Sequence, residues 1–373
     1  MENENSVAFI AKIDSIEPII GADNIEKAIV GGWSCVIKKD QYTVGALMVC
    51  CTTDAVIPEE LANNMGITPY LRKGNRVRTV KLKGTYSECL LIPFMYTTSL
   101  TTEDYKEGLD VMNKLGIFKY EPPIKNIQLS TGKTVRYHEN PNFGIYYKFP
   151  NIKNVQGIFT EEDTVSITRK IHGTNARYGI VKKTKLSLWD KFRKFFGLVD
   201  KWIEYEFVVG SHNVEKGSDS QGYYETNVWY DINKKYQIKE KLWAYAKEHT
   251  IGSGVILYGE IYGKGIQKGY EYGLDTIEFV AFDIVESGRY LDTDMCETLI
   301  DLLQLPRIEE LYYGRWSQEI QDKYVFNNFI KGTKIPHEGI VVKHISGNRK
   351  KVAKVINPDY LIYGEKHEIG DSH

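Results

Sequence analysis

Between residues 7 and 118, apolar positions come in short runs that partly alternate with polar ones. "VAFIAKIDSIEPI", "IEKAIVGGWSCVIKK", "ALMVCCTTDAVIP" and "NRVRTVKLKGTYSECLLIP" are such runs. Turn formers split them at Gly21-Ala22-Asp23, Gly31-Gly32 and Lys38-Lys39-Asp40. Period-two patterning bounded by turns predicts strands, and strands this short and closely spaced predict a small β-barrel or sandwich. Residues 101–118 read as a short helix with its connection. The polar, proline-bearing stretch "KYEPPIKNIQLSTGKTVRYHENPN" (119–142) reads as a linker or strap. It puts a domain boundary near 128, giving domains 1–128 and 129–373.

Beyond that point the period changes repeatedly. Strands are predicted at "DTVSITRKI", "NARYGIVKK", "YEFVVGS", "VILYGEIYG", "IEFVAFDIVE", "EGIVVKHI" and "KVAKVI", and helices at 187–203, 231–249 and 293–304. Irregular alternation with antiparallel-looking hairpins points to α+β rather than to a doubly wound sheet. Within 182–203, Trp189, Phe192, Phe196, Val199 and Ile203 recur at helical spacing, with Lys191, Arg193, Lys194 and Lys201 around the axis. The expectation is a helix packed on its domain with a solvated basic face; an RNA-backbone contact comes second and a membrane contact third.

Composition changes this picture little. Apolar residues make up 42% and charged residues 26%, and the formal net charge is −1, so any polyanion site must come from local clustering. Tyrosine, at 26 residues, is abundant and suits ligand pockets or nucleic-acid surfaces as well as core edges. Five cysteines, two of them adjacent and none in C-x-x-C spacing, suggest neither a disulfide framework nor a zinc site and fit a reducing, cytoplasmic setting. The N-terminus lacks the pattern of a signal peptide, and no apolar run is long enough to span a bilayer.

Candidate chemistry begins at "ITRKIHGTNARYGIV" (167–181). Strand alternation puts Thr168, Lys170 and His172 on one side and Arg169 on the other. Lys170 alone is what a solvated strand end shows. Its interest comes from the ordered set that follows: "VVGSHN" (208–213), "LYGEIYGKGIQ" (257–267), "FVAFDIV" (279–285), "EGIVVK" (338–343) and "KVAKVIN" (351–357). An amine attacks phosphorus only as the free base, and neighbouring cations favour that form. Lys343 and Lys354 are candidates for those cations.

This order resembles the covalent nucleotidyltransferase superfamily, in which motif I is K-x-x-G, motif III ends in G-E, motif IV is E-G-h-V and motif V holds lysine. "KIHGTN", "GSHN", "YGEIYGKGIQ" and "KVINPDYL" look most like ATP-dependent RNA ligases, and the front section is similar to the N-terminal OB domain of one such family. The fold implied is an N-terminal OB-type β-barrel followed by a ligase adenylation domain of antiparallel sheets flanked by helices. The resemblance implies Lys170 as the AMP acceptor. Gly173, Glu260, Phe282, Lys343 and Lys354 would surround the nucleotide, with Glu260 at the ribose and both lysines at the α-phosphate. Glu338 would meet the metal, directly or through water, and Asp283 is a weaker metal candidate. ATP and Mg²⁺ or Mn²⁺ are the implied cofactors. The implied partner is RNA, possibly within a nicked duplex, with no membrane and no obligate protein partner.

Three positions depart from the family pattern. His212 stands where many of these ligases have arginine, leaving the RNA contact of His212 and Asn213 in question. His172 takes a position that is often acidic. Motif V shows Val352-Ala353-Lys354 where K-x-K is common. In the front section, a strand through "RVRTV" would present Arg76 and Arg78 on one face, a basic surface suited to RNA. Two alternatives remain: a nucleotidyltransferase of another acceptor, such as a capping guanylyltransferase, and a non-catalytic RNA-binding protein. The capping arrangement would need a second OB domain after motif V, and the chain ends at residue 373.

Overall fold

The computed structural model describes residues 6–120, 140–197, 201–212, 215–216, 227–249 and 251–367. The chain divides into two compact units. One comprises Met1–Pro123, Pro150–Phe159 and Val355–Lys366, and the other Ile124–Phe149, Thr160–Lys354 and His367–His373. The boundary expected near 128 lies outside the described residues.

The first unit is built on β1 (Ala8–Pro18), β2 (Ile25–Val30), β3 (Trp33–Lys38), β4 (Leu47–Thr52) and, later, β8 (Cys89–Ile92), in the order β3-β2-β1-β4-β8. Short pairs are added by β5 (Ala55–Val56) with β9 (Phe118–Lys119) and by β6 (Val80–Leu82) with β7 (Thr85–Ser87). The helices α1 (Glu59–Asn64) and α2 (Met112–Leu115) are short. Strand β1 serves two neighbours: Ala8–Lys12 pair with β4, and after a bulge between Ile13 and Ser15 the strand pairs with β2. Such a bulge bends a strand and lets a sheet curl. The curl returns β3 toward β8, where the Glu88 N–H donates to the Ser34 carbonyl (2.7 Å) and the Val36 N–H to Ser87 Oγ (3.0 Å). A nearly closed barrel results, with Ile13, Val30, Ile37, Met48, Cys50 and Leu91 in one apolar cluster. All five cysteines are free and buried.

The strand expected to align Arg76 and Arg78 is not formed. Residues 76–79 form no strand, so the alternation argument for Arg76 and Arg78 fails. Arg76 is buried, its Nε donates to Asp54 Oδ1 (2.7 Å), and its guanidinium lies 4.1 Å from the Tyr120 ring centroid. Arg78 bonds Glu365 (2.7 Å) and Lys81 pairs with Asp359 (3.5 Å), both on the helix Pro358–Lys366. Cations that find carboxylates within their own unit are removed from the surface available to a polyanion.

The second unit holds two sheets. Strand β10 (Thr164–Lys170) belongs to the first, and β11 (Thr174–Lys182) and β12 (Tyr205–Gly210), with α3 (Leu188–Phe195) between them, to the second. Helices α4 (Val228–Tyr236) and α5 (Ile238–Glu248) follow; one helix was expected over 231–249, but Gln237 adopts φ 54° and breaks it. Next come β13 (Gly254–Gly263), β14 (Ile277–Glu286), β15 (Arg289–Tyr290), α6 (Thr293–Leu302), β16 (Glu310–Arg315), α7 (Gln318–Val325), β17 (Gly339–His344) and β18 (Val352–Ile356). The sheet orders are β16-β10-β17-β18 and β12-β11-β13-β14-β15, and the pairings of β10 with β16 and β17, and of β11 with β12 and β13, are antiparallel.

The five-stranded sheet is covered on both faces, which explains why its central strands read as nearly continuous apolar runs. On one face Tyr178, Ile180, Leu257 and Phe279 pack with Trp229, Ile232 and Leu242 of α4 and α5 and Leu299 of α6. On the other, Ile256, Tyr258 and Val285 pack with Phe143 and Tyr146. Period-two alternation along β13 extends this second face from Ile256 and Tyr258 to Glu260.

Candidate active site

Lys170 is the last residue of β10, paired with Gly339 of β17, and Thr174 opens β11 opposite Ile261 of β13. Ile171-His172-Gly173 is therefore the crossing from one sheet to the other. The crossing is tight: a Cβ on Gly173 would lie 2.2 Å from the Ile261 carbonyl oxygen and 2.9 Å from Glu260 Cγ. Glycine at this place in K-x-x-G is thus a packing requirement. A second glycine follows the same logic, since a Cβ on Gly259 would meet the Phe279 ring at 2.2 Å. The loop after β13 clamps the crossing. Gln267 Nε2 donates to the Gly173 carbonyl (2.6 Å), the His172 N–H donates to Tyr272 Oη (2.6 Å), and the buried His172 ring meets Tyr270 edge-on.

Two carboxylates converge on Lys170. Glu338, almost fully buried just before β17, receives the Lys170 ammonium at 2.6 Å. Glu260 reaches the crossing from the other sheet. Burial pushes its carboxyl up to about 8; the Lys170 charge opposes that rise, the Glu338 charge adds to it, and the Gly173 amide opposes it again. Arg169 points elsewhere, its Nε on Glu309 at 2.9 Å.

Asp283, on β14, is saturated rather than open. It receives Arg349 through both oxygens (2.8 and 3.0 Å), the Tyr146 hydroxyl (2.9 Å) and Lys343 Nζ (3.2 Å). A metal bound there would have to displace the chain's own cations from its oxygens. Lys343 also donates to the Phe282 carbonyl (2.9 Å), and its Nζ lies 5.9 Å from the Phe282 ring centroid. Lys354 is half-buried on β18, next to β17. Lys351 pairs with Asp163 at 2.5 Å.

Arg177, buried mid-strand in β11, donates to the carbonyls of Ser211 (2.9 Å) and Phe143 (2.6 Å) and stacks its guanidinium on the Phe143 ring. It thereby holds the "GSHN" turn against β11. His212 is half-buried there, and burial, then Lys148 and Arg177, lower its proton affinity. Asn213 lies outside the described residues.

Three comparisons with known proteins follow from this geometry. The RNA ligase family matches residues 163–356, more than half of the chain and the whole of the two-sheet core. The chain belongs to the RNA ligase family. An OB-fold domain matches residues 7–94. Among solved structures the ligase is similar to a Naegleria gruberi RNA ligase. A mutant of that protein with AMP and Mn aligns at TM-score 0.71 with 23% identity, covering 98% of this chain and 99% of the other. A mutant with ATP and Mn gives 0.70 and 23%, with 97% and 99% covered. A mutant without ligand gives 0.69 and 23%, with 97% and 98% covered. No curated protein matches at the level of sequence.

Among the described residues of the ligase, no group of three or more His, Cys, Asp or Glu side chains is disposed to hold a metal unaided. The pair Glu260 and Glu338 nevertheless suits a hard cation that takes one or two carboxylates and completes its shell from phosphate oxygens and water. An approaching cation would also reverse the upward push on the Glu260 carboxyl. Sequence reasoning missed Arg177, Gln267, Tyr272 and Arg349. Arg177 is a lone cation within an apolar strand, Arg349 opens the run Arg349-Lys350-Lys351 that reads as solvated charge, and Gln267 and Tyr272 sit in the Gly/Tyr-rich stretch after Glu260 without a distinguishing pattern.

Proposed function

We propose that the chain is an ATP-dependent RNA ligase that joins 3′-OH and 5′-phosphate ends and seals nicks in duplexes whose 3′-OH strand is RNA. The observation that carries this reading is the convergence of Lys170 with Glu338, 2.6 Å away, and with Glu260 from the facing sheet. The Lys170 ammonium first yields a proton to the adjacent Glu338 carboxylate. The free amine then attacks the α-phosphorus of ATP, the P–N bond forms as the bond to pyrophosphate breaks, and the proton then lost from nitrogen leaves with the pyrophosphate. An RNA 5′-phosphate oxygen then takes the AMP, breaking the P–N bond and returning the proton to the amine. Finally the 3′-hydroxyl attacks the activated 5′-phosphorus in line and AMP leaves. Glu260 holds the ribose. Lys354 and the Asp283–Lys343–Arg349 group, whose formal charges sum to +1, draw the phosphates and stabilise charge as it develops. Mg²⁺ or Mn²⁺, held by Glu338 directly or through water with Glu260 alongside, would supply further neutralisation of phosphate charge. ATP or AMP with Mn in the Naegleria structures supports the same choice of nucleotide and metal class.

The test is incubation with labelled ATP or GTP and either metal, followed by a search for an acid-stable protein adduct. An AMP adduct that disappears in Lys170→Ala supports the reading. A GTP adduct without an AMP adduct favours a capping-type enzyme, and no adduct from the folded protein defeats both. Sealing of nicked duplexes with an RNA or a DNA 3′-OH strand then decides the substrate; equal sealing of both would remove the RNA-strand requirement.

A further inference from the structure

The amphipathic insertion between β11 and β12 does not pack as the sequence suggested. Ser187 caps α3 by accepting from the Asp190 N–H, and the helix ends at Gly197, φ 66°. Its large apolar side chains stand in solvent: Trp189 is 73% exposed, Phe192 52%, Phe195 84% and Phe196 56%. They touch one another, with Phe192 and Phe196 ring centroids 4.5 Å apart, Phe195 and Phe196 5.2 Å, and Trp189 and Phe192 6.0 Å. At about 100° per residue these four occupy a sector of roughly 120°, with Arg193 beyond one edge and Lys191 beyond the other. A helix this short is not held by its own hydrogen bonds, so a contiguous aromatic face on it is matched to a partner.

Charge and position choose the partner. Lys183 pairs with Asp190, and Lys182 and Lys194 pair with Glu204. Among the described residues, Lys185, Lys191 and Arg193 remain exposed and unpaired. The surface is therefore apolar with a cationic rim. It also lies at the far end of the sheet from the chemistry. Strand β11 starts at Thr174 beside Lys170 and ends at Lys182, which pairs with Tyr205, a run of eight steps or about 26 Å. His212 follows the opposite end of β12, so it lies with Lys170 at the end of the sheet far from the helix.

We infer that α3 docks the protein on an anionic phospholipid surface, inserting Trp189, Phe192, Phe195 and Phe196 at the headgroup boundary while Lys185, Lys191 and Arg193 face the lipid phosphates. The sequence reading placed a membrane contact last; the exposure of the aromatic face reverses that order. This is adsorption to one leaflet, since among the described residues no helix is long and apolar enough to cross a bilayer.

The test is flotation of the full chain with phosphatidylcholine vesicles that contain or lack phosphatidylserine. Binding is expected only with phosphatidylserine and is expected to fall as salt rises. Phe195→Ser with Phe196→Ser, and separately Lys191→Glu with Arg193→Glu, each weaken it by more than about tenfold. Both double variants keep the circular dichroism spectrum and the AMP adduct, because the residues carry no core and lie far from Lys170. Absence of flotation, or flotation that both variants leave intact, overturns the inference. So does a result in which the variants instead weaken RNA binding or dissolve a dimer while vesicles do not bind, for the face then belongs to RNA or to a second copy.

Discussion

Gly173 and Ile261 approach so closely that any side chain on the first would sit 2.2 Å from the carbonyl oxygen of the second. Gly173→Ala must therefore part β11 from β13 where Lys170 and Glu260 meet. AMP-adduct formation is expected to fall by about 100-fold, the usual consequence of an ångström-scale misplacement. A rapid-quench adenylylation assay checks this, with circular dichroism confirming that the fold survives.

Glu338→Gln keeps the shape and removes the proton acceptor. Adduct formation is expected to drop by roughly 10²–10⁴-fold, in the range of a lost general base. Comparing variant and parent across pH tests the assignment, because a purely structural Glu338 would lower the rate without changing the profile.

Arg349→Met leaves Asp283 buried with Lys343 and the Tyr146 hydroxyl but without its two-point partner. Breaking a buried pair from one side costs about 3 kcal/mol. The expected result is a lower urea midpoint at unchanged slope, together with weaker nucleotide binding as the local positive charge is lost.

Arg76→Ala discriminates between a structural and an RNA-binding arginine. Its pairing with the Asp54 carboxylate and its place on the Tyr120 ring predict destabilisation of about 3 kcal/mol. RNA affinity, measured by filter binding at two salt concentrations, is expected to stay within about twofold, and its salt slope to be unchanged.

Glu278 gives a pH dependence. Burial would raise its carboxyl, but Lys235, Thr276 and Tyr236 hydrogen-bond the anion and hold it at about 2. A folded value below the unfolded one contributes stability that is complete above the ordinary carboxylate range and fades as pH falls from about 5 toward 2. Glu278→Gln is expected to flatten that acid limb in a thermal-melt series. An unchanged limb would show that other carboxylates govern it.

Lys170 and Gly339 were legible because they stand at strand ends, whereas Glu260 and Lys354 lie within β13 and β18 and were legible only through the order of the motifs. The residues that hold them were not. Arg177 sits inside a strand, where sequence offers no reason for a cation, and its two carbonyl partners come from segments about 34 residues away on either side. The basic run at 72–83 was misread for a related reason. Arg78 and Lys81 pair with Glu365 and Asp359, 287 and 278 residues later, and pattern reading along the chain cannot see such a partner. Gln237 shows the limit of periodicity itself, since one residue in the left-handed region divides a helix whose apolar spacing runs on unbroken.

Because Lys170 ends a strand of one sheet and Thr174 begins a strand of the other, the two carboxylates beside it belong to different sheets, tied to each other through Lys343 and Asp283. Glu338 rides with the lysine, on the strand partner of β10, while Glu260 rides with the facing sheet. A small slide of one sheet over the other would leave the first distance fixed and change the second. The amine would then feel relative motion of the sheets as a change in local field.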